Sequence, residues 1–274
     1  MEYSVVGITA LIITLIICHS YIFTTKVKDF PIQKRTYRAF IISVTLFYAV
    51  DILWGTFADL DVLPLLYADT VVFFVSLGII ALLWTRFLTV YIGGKGKTNM
   101  FMLGIGFAML VFVVVMLIIN IFNPILFEFK DGKYVAKTGR YLLFLGQLIV
   151  FTLSAFGSLV EAFSKRSINK KNRFLVISVF SIAMIVAIVF QLLYPLLPFY
   201  SIGCMVGVCL VNTFVAESEK EESRLRLEVL LKKEIENQQE LSSTKALVYK
   251  DSLTGANSKF AYVEMEEKID KLIN

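Results

Sequence analysis

Seven stretches of the chain are apolar for about the twenty residues that an α-helix needs to cross the hydrocarbon core of a bilayer. They are Val5 to Thr25, Tyr37 to Phe57, Leu65 to Tyr91, Met100 to Phe122, Tyr141 to Phe163, Phe174 to Tyr194 and Leu196 to Ala216. The hydrocarbon core offers backbone N–H and C=O groups no water, so each run must satisfy its own, which only a helix does within one segment. Composition agrees: 57% of the residues are hydrophobic and 18% charged, with a mean hydropathy of +0.74, well above the apolar content of ordinary soluble domains. The expectation is an all-α membrane protein built as a bundle of seven transmembrane helices. Pro195 and Pro198 interrupt the last run, so a re-entrant pair with the sixth is the alternative path there.

Charge is confined to the gaps. Up to Ala216 the net charge is +8, and beyond it −3. One alternating set of gaps carries thirteen basic residues: Lys26, Lys28, Lys34, Arg35, Arg38, Arg86, Lys95, Lys97, Lys165, Arg166, Lys170, Lys171 and Arg173. The other set carries four: Lys130, Lys133, Lys137 and Arg140. The positive-inside rule then predicts an N-terminus outside and a C-terminus in the cytoplasm. Met1-Glu2-Tyr3-Ser4 has no basic n-region, so the first helix is expected to be retained rather than cleaved. Cys18, Cys204 and Cys209 all lie inside apolar runs, where they read as packing residues rather than disulfides or metal ligands. In the outer gap between the fourth and fifth runs, two short alternating segments flank Asp131-Gly132, which predicts a small extracellular β-hairpin. It serves either as a lid on the outer helix ends or as a plain connector.

After Ala216 the chain turns polar, and no Gly or Pro occurs until Gly255, which predicts a long cytoplasmic helix over 217–250. Its best heptad seam runs through Leu227, Leu231, Glu234, Gln238, Leu241, Lys245 and Val248. Only Leu227, Leu231, Leu241 and Val248 are apolar, so the expected coiled coil is weak and open to register change; a solvated single helix is the alternative. A polar break follows at Asp251-Ser252-Leu253-Thr254-Gly255, then a second amphipathic stretch from Phe260 to Ile273.

A signalling helix that runs into Asp-x-Leu-Thr-Gly resembles the start of a GGDEF domain, the catalytic domain of diguanylate cyclases. Asp251, Leu253 and Thr254 match the opening of that family's motif, with Gly255 following; Ala256, Ser258 and Lys259 stand where the family has Leu, Asn and Arg. Ala261-Tyr262-Val263-Glu264 continues in the style of clostridial members of the family. The resemblance covers residues 251–274. It implies a bacterial inner-membrane sensor of residues 1–216, joined through the helix of 217–250 to a GGDEF output domain that makes cyclic di-GMP from GTP. It also implies a homodimer, because two such domains must meet. The family's Gly-Gly-Asp/Glu-Glu-Phe turn and Mg²⁺-binding aspartates lie beyond the matched stretch, so no cofactor, metal or catalytic residue is expected within these residues. The bilayer and a second copy are the expected partners, with a small molecule at the outer face; no nucleic-acid partner is expected.

Ionisable and amide side chains inside spans are expensive in lipid and mark function by default. With the predicted sidedness, Asp51, Trp54, Asp69, Asn120, Gln147, Gln191 and Tyr194 all fall in the outer half and form a candidate ligand pocket. A carboxylate pair of Asp51 and Asp69 suits a cationic or hydroxylated ligand, or proton sensing. The competing reading makes Asp69 a solvated headgroup residue beside Asp59 and Asp61, and Gln147 and Gln191 interhelical hydrogen-bonding glue. His19, Arg86 and Glu161 read as interfacial anchors at the inner ends. The single histidine precedes the second run, which excludes a phosphoacceptor histidine on the cytoplasmic helix. No lysine lies in the last two runs to form a retinal Schiff base. Gly93-Gly94-Lys95-Gly96-Lys97 lacks phosphate-loop spacing and reads as a basic turn. A small transporter is the rival class, but it predicts an internal repeat and broken helices, and no clear repeat is present.

Overall fold

The computed structural model describes residues 2–24, 30–92, 97–130, 132–164, 168–249 and 256–273. Asp251, Leu253, Thr254 and Gly255 of the GGDEF-like motif lie outside the described residues, as do Asp131, most of the 93–97 turn and the side chain of Val248. The elements in chain order are α1 (Glu2–Ile17), α2 (His19–Ile22), α3 (Ile32–Asp59), α4 (Leu63–Ile92), α5 (Lys97–Phe122), β1 (Phe127–Lys130), β2 (Lys133–Ala136), α6 (Gly139–Ser164), α7 (Ile168–Leu193), α8 (Phe199–Tyr249) and α9 (Lys259–Ile273). The chain divides into two compact units, 1–215 and 216–274.

Among the described residues six helices are long and apolar enough to cross a membrane: α3, α4, most of α5, α6 as far as Val160, α7 from Phe174, and α8 as far as Glu217. Their outward surfaces carry Leu46, Phe107, Ile118, Ile121, Phe156 and Ile182. Contiguous apolar surface on that scale is a surface for lipid. This is the architecture of a multi-pass helical membrane protein.

The first apolar run departs from the single span expected over Val5 to Thr25. Its helix stops at Ile17, and only a one-turn helix, α2, follows. At 1.5 Å per residue α1 is about 24 Å long, short of the ~30 Å hydrocarbon core. The cause is tertiary. Asn212 of α8 donates its Nδ2 to the Ile17 carbonyl at 3.3 Å, the acceptor that Tyr21 N–H would use in an α-helix. Tyr21 N–H turns instead to Cys18 O at 2.9 Å. A side chain inserted into the backbone ladder is a regular source of helix breaks.

Elsewhere local chemistry sets the boundaries. Pro31 sits at the start of α3 with φ −59°, where its missing N–H costs nothing. Asp61 adopts φ 55° in the tight turn between α3 and α4, a conformation that Asp tolerates better than most residues. Pro195 and Pro198 occupy the α7–α8 turn, which Gln191 closes by accepting Tyr200 N–H at 3.0 Å and donating to Pro195 O at 3.1 Å.

The core is aromatic. Trp84 of α4 is fully buried and stacks on Phe180 of α7 with ring centroids 3.9 Å apart. Phe40 of α3, Phe87 of α4 and Phe151 of α6 surround them. Gly207 of α8 packs against the Phe180 ring so closely that any side chain there would strike it.

β1 and β2 pair antiparallel, with Phe127 opposite Ala136 and Phe129 opposite Tyr134; Gly132 takes φ +77° in the connection. Asn120, at the end of α5, holds the strands down: its Oδ1 accepts Leu126 N–H at 2.7 Å and Phe127 N–H at 3.3 Å, and its Nδ2 donates to Phe127 O at 3.3 Å. Phe127 stacks on Phe74 and Tyr134 packs edge-on against Trp54, seating the strands on α4 and α3.

Glu128 receives Lys137 at 2.5 Å and Lys130 at 3.2 Å. These ammonium groups, Lys137 foremost, hold its carboxyl below the ordinary 4.5. A carboxylate depressed in the folded state stabilises it above the unfolded pKa, and that stabilisation is lost as pH falls through the folded value. Hydrogen exchange of the β1–β2 amides should therefore accelerate in wild type relative to Glu128→Gln as pH is taken below 4.5. Equal pH profiles for the two proteins would show that the ion pairs do not hold the strands.

In the second unit, Ser258 caps α9 by accepting Ala261 N–H at 3.3 Å, and Lys268 pairs with Glu264 one turn away at 3.1 Å. Leu227, Leu231 and Leu241 of the proposed seam are all exposed.

Candidate functional site at the strand end of the bundle

Two glycines bring α1 and α3 together. A Cβ on Gly7 would lie 2.8 Å from Ile52 Cγ1, and one on Gly55 would lie 2.9 Å from Tyr3 Cδ1. The crossing delivers the Tyr3 hydroxyl to Asp51, donating to Oδ1 at 2.8 Å. The other oxygen, Oδ2, accepts Ser201 Oγ of α8 at 2.5 Å. Asp51 is 1% exposed. It thus ties three helices, α1, α3 and α8, at one buried point, with each carboxylate oxygen engaged.

Beside this joint lies a small cavity of about 30 Å³ that opens to the surface. Its polar wall is Tyr3, Thr70, Tyr134, Arg140 and Gln191; its apolar wall includes Trp54, Phe73, Phe74 and Phe144. Trp54 is fixed by its indole N–H, which donates to Thr70 Oγ1 at 3.1 Å, and by the Tyr3 ring at 5.1 Å. Burial pushes the Tyr134 phenol up to about 12, against the opposing pull of the Arg140 charge, so this hydroxyl stays neutral at physiological pH.

The seven residues expected in an outer pocket separate into different environments. Trp54 and Gln191 line the cavity. Asp51 stands behind Tyr3 and does not reach the cavity wall. Asp69 is buried rather than a solvated headgroup residue, close enough to Asp51 for their charges to interact, and its Oδ2 has no hydrogen-bond partner. Asn120 is committed to the strands, and Gln191 spends its side-chain amide on the α7–α8 turn while its backbone carbonyl accepts Arg140 Nη2 at 2.6 Å. Gln147 is buried in α6 away from the cavity, with Oε1 unpartnered. Tyr194 borders a separate, more open depression with Tyr134, Val135 and Leu197.

Sequence reasoning missed Tyr3, Ser201 and Arg140. Tyr3 and Ser201 carry ordinary hydroxyls, and nothing in their local sequence marks them as partners of Asp51. Arg140 belongs by sequence to the basic residues of the outer gaps, but it is 3% exposed in the first turn of α6. The available clue was its place directly before an apolar run. Comparison with protein-family models, with curated proteins and with solved structures returns no significant match.

Proposed function

We propose that the chain is the sensory part of a bacterial inner-membrane signalling protein. In this reading the strand end of the bundle faces outward, the cavity takes up a ligand or reports the state of the membrane, and α8 carries the response to a dimeric output of the diguanylate cyclase type. The observation that supports the reading is the hydrogen bond from Ser201 to Asp51. Ser201 lies in the first turn of α8, the helix that continues to Tyr249. A change at the Asp51 joint therefore acts directly on the helix that bears the exposed Leu227, Leu231 and Leu241 seam. Signalling then amounts to a population shift between two packings of α8 against α1 and α3, biased by whatever occupies the cavity.

Residues 1–250 fused to an intact GGDEF domain, in cells without other cyclases, provide the test. Asp51→Asn is expected to change cyclic di-GMP per molecule of fusion by about fivefold or more, the lower end of usual coupling between sites. Equal output from wild type and Asp51→Asn at equal membrane abundance would sink the proposed route.

A further inference from the structure

Arg140 is a buried cation with no counter-ion among the described residues. Its guanidinium has five N–H donors. One bonds the Gln191 carbonyl at 2.6 Å, and the Tyr134 hydroxyl lies beside the group. Its Cζ lies 5.3 Å from the centre of the Phe144 ring and 6.0 Å from that of Tyr141. Among the described residues no carboxylate comes within 4.0 Å of it. Asp51 and Asp69, the acids buried at this end, are engaged with Tyr3 and Ser201 or set apart in α4. An unpaired buried charge costs several kcal/mol, so a fold that keeps one in a cavity wall is arranged for an anion that arrives from outside.

We propose that this cavity binds the oxyanion of a small amphiphile, with the anionic group on Arg140 and the apolar body against Trp54, Phe73, Phe74 and Phe144. The inference rests on the pocket of the sensor reading and names its ligand class. A guanidinium is weakly hydrated and presents its donors in a planar fork that matches a carboxylate or phosphate edge. The hydrogen bond to Gln191 and the contact with the Phe144 ring restrain that fork. The aromatic wall and a cavity of only about 30 Å³ favour a compact apolar body, seated as the walls part, over a sugar or a nucleotide. A free organic acid and an anionic lipid headgroup share this chemistry.

The test uses the full chain in phosphatidylcholine nanodiscs and reads the fluorescence of Trp54, with Trp54→Phe identifying the reporter. Butyrate and benzoate are titrated beside butyramide and benzamide, which match them in shape but carry no charge. At least one acid is expected to give a saturable change that its amide does not. Arg140→Gln should weaken that binding about tenfold or more, as expected for a lost charged hydrogen bond, and Arg140→Lys should restore part of it. Adding phosphatidylglycerol to the discs separates the sources: a raised apparent Kd for the acid assigns the anion to the headgroup, and an unchanged one to the free acid. Amides binding as tightly as acids, unchanged affinity in Arg140→Gln, or no response to any acid or to phosphatidylglycerol would each overturn the proposal. The acid and amide comparison is made on wild type, so it stands even if Arg140→Gln fails to fold. Acid binding without any Asp51 effect on fusion output refutes the sensor and leaves the anion site; the reverse pair refutes the anion site alone.

Discussion

Asp51→Ala is expected to destabilise the protein by about 2–6 kcal/mol, because two hydroxyls lose a strong acceptor at about 1–3 kcal/mol each. Those hydroxyls are Tyr3 on α1 and Ser201 on α8, so the loss loosens two interhelical contacts together. Asp51→Asn should cost much less. Its amide keeps one acceptor oxygen, and a hydroxyl can rotate to accept from the NH₂ group. The measurement is reversible unfolding in mixed micelles, followed as a double-mutant cycle of Asp51→Ala with Ser201→Ala. A coupling of about 0.5–3 kcal/mol is the size of interaction found between residues in direct contact. Strict additivity of the two substitutions would mean that the carboxylate and the serine do not meet.

Trp84→Ala should cost about 3 kcal/mol, at the low end of the range for emptying a large aromatic site. The unfolded reference of a membrane protein is already in lipid, so little transfer free energy is lost; what goes is packing against Phe180, Phe40 and Phe87. Trp84→Phe separates the two contributions. It keeps a ring in the stack and removes the indole N–H, which is buried without a partner, so it should be close to neutral. The same unfolding assay checks both, with Leu46→Ala on the outward surface as the reference. A Trp84→Ala cost no greater than that of Leu46→Ala would contradict the aromatic core.

The positions of most helices were legible because their causes are local. Apolar length predicts a span, and the absence of Gly and Pro after Ala216 predicts a long helix; α3, α7 and α8 follow these signals. The strands β1 and β2 fall on the two short alternating segments around Asp131-Gly132, while their register, Phe127 opposite Ala136, comes from the structure. The break after Ile17 carries no local signal, because Asn212, nearly two hundred positions away, supplies it.

The site was less legible than the spans. In water, a helix advertises its buried face by being polar on the other side. In lipid both faces are apolar, so hydropathy places a residue along the membrane normal but not around the helix axis. Sequence alone therefore grouped Asp51, Trp54, Asp69, Asn120, Gln147, Gln191 and Tyr194 by depth. The tertiary packing, through the rotation of each helix and the close approach at Gly7 and Gly55, decided that Asp51 meets Tyr3 and Ser201, that Asn120 and Gln191 hold turns, and that Arg140 is enclosed. What the amino-acid order determined by itself is that this chain builds apolar helices for a bilayer. Which polar groups face one another was decided only by packing, because an apolar solvent leaves that choice to shape and to the pairing of the few polar side chains.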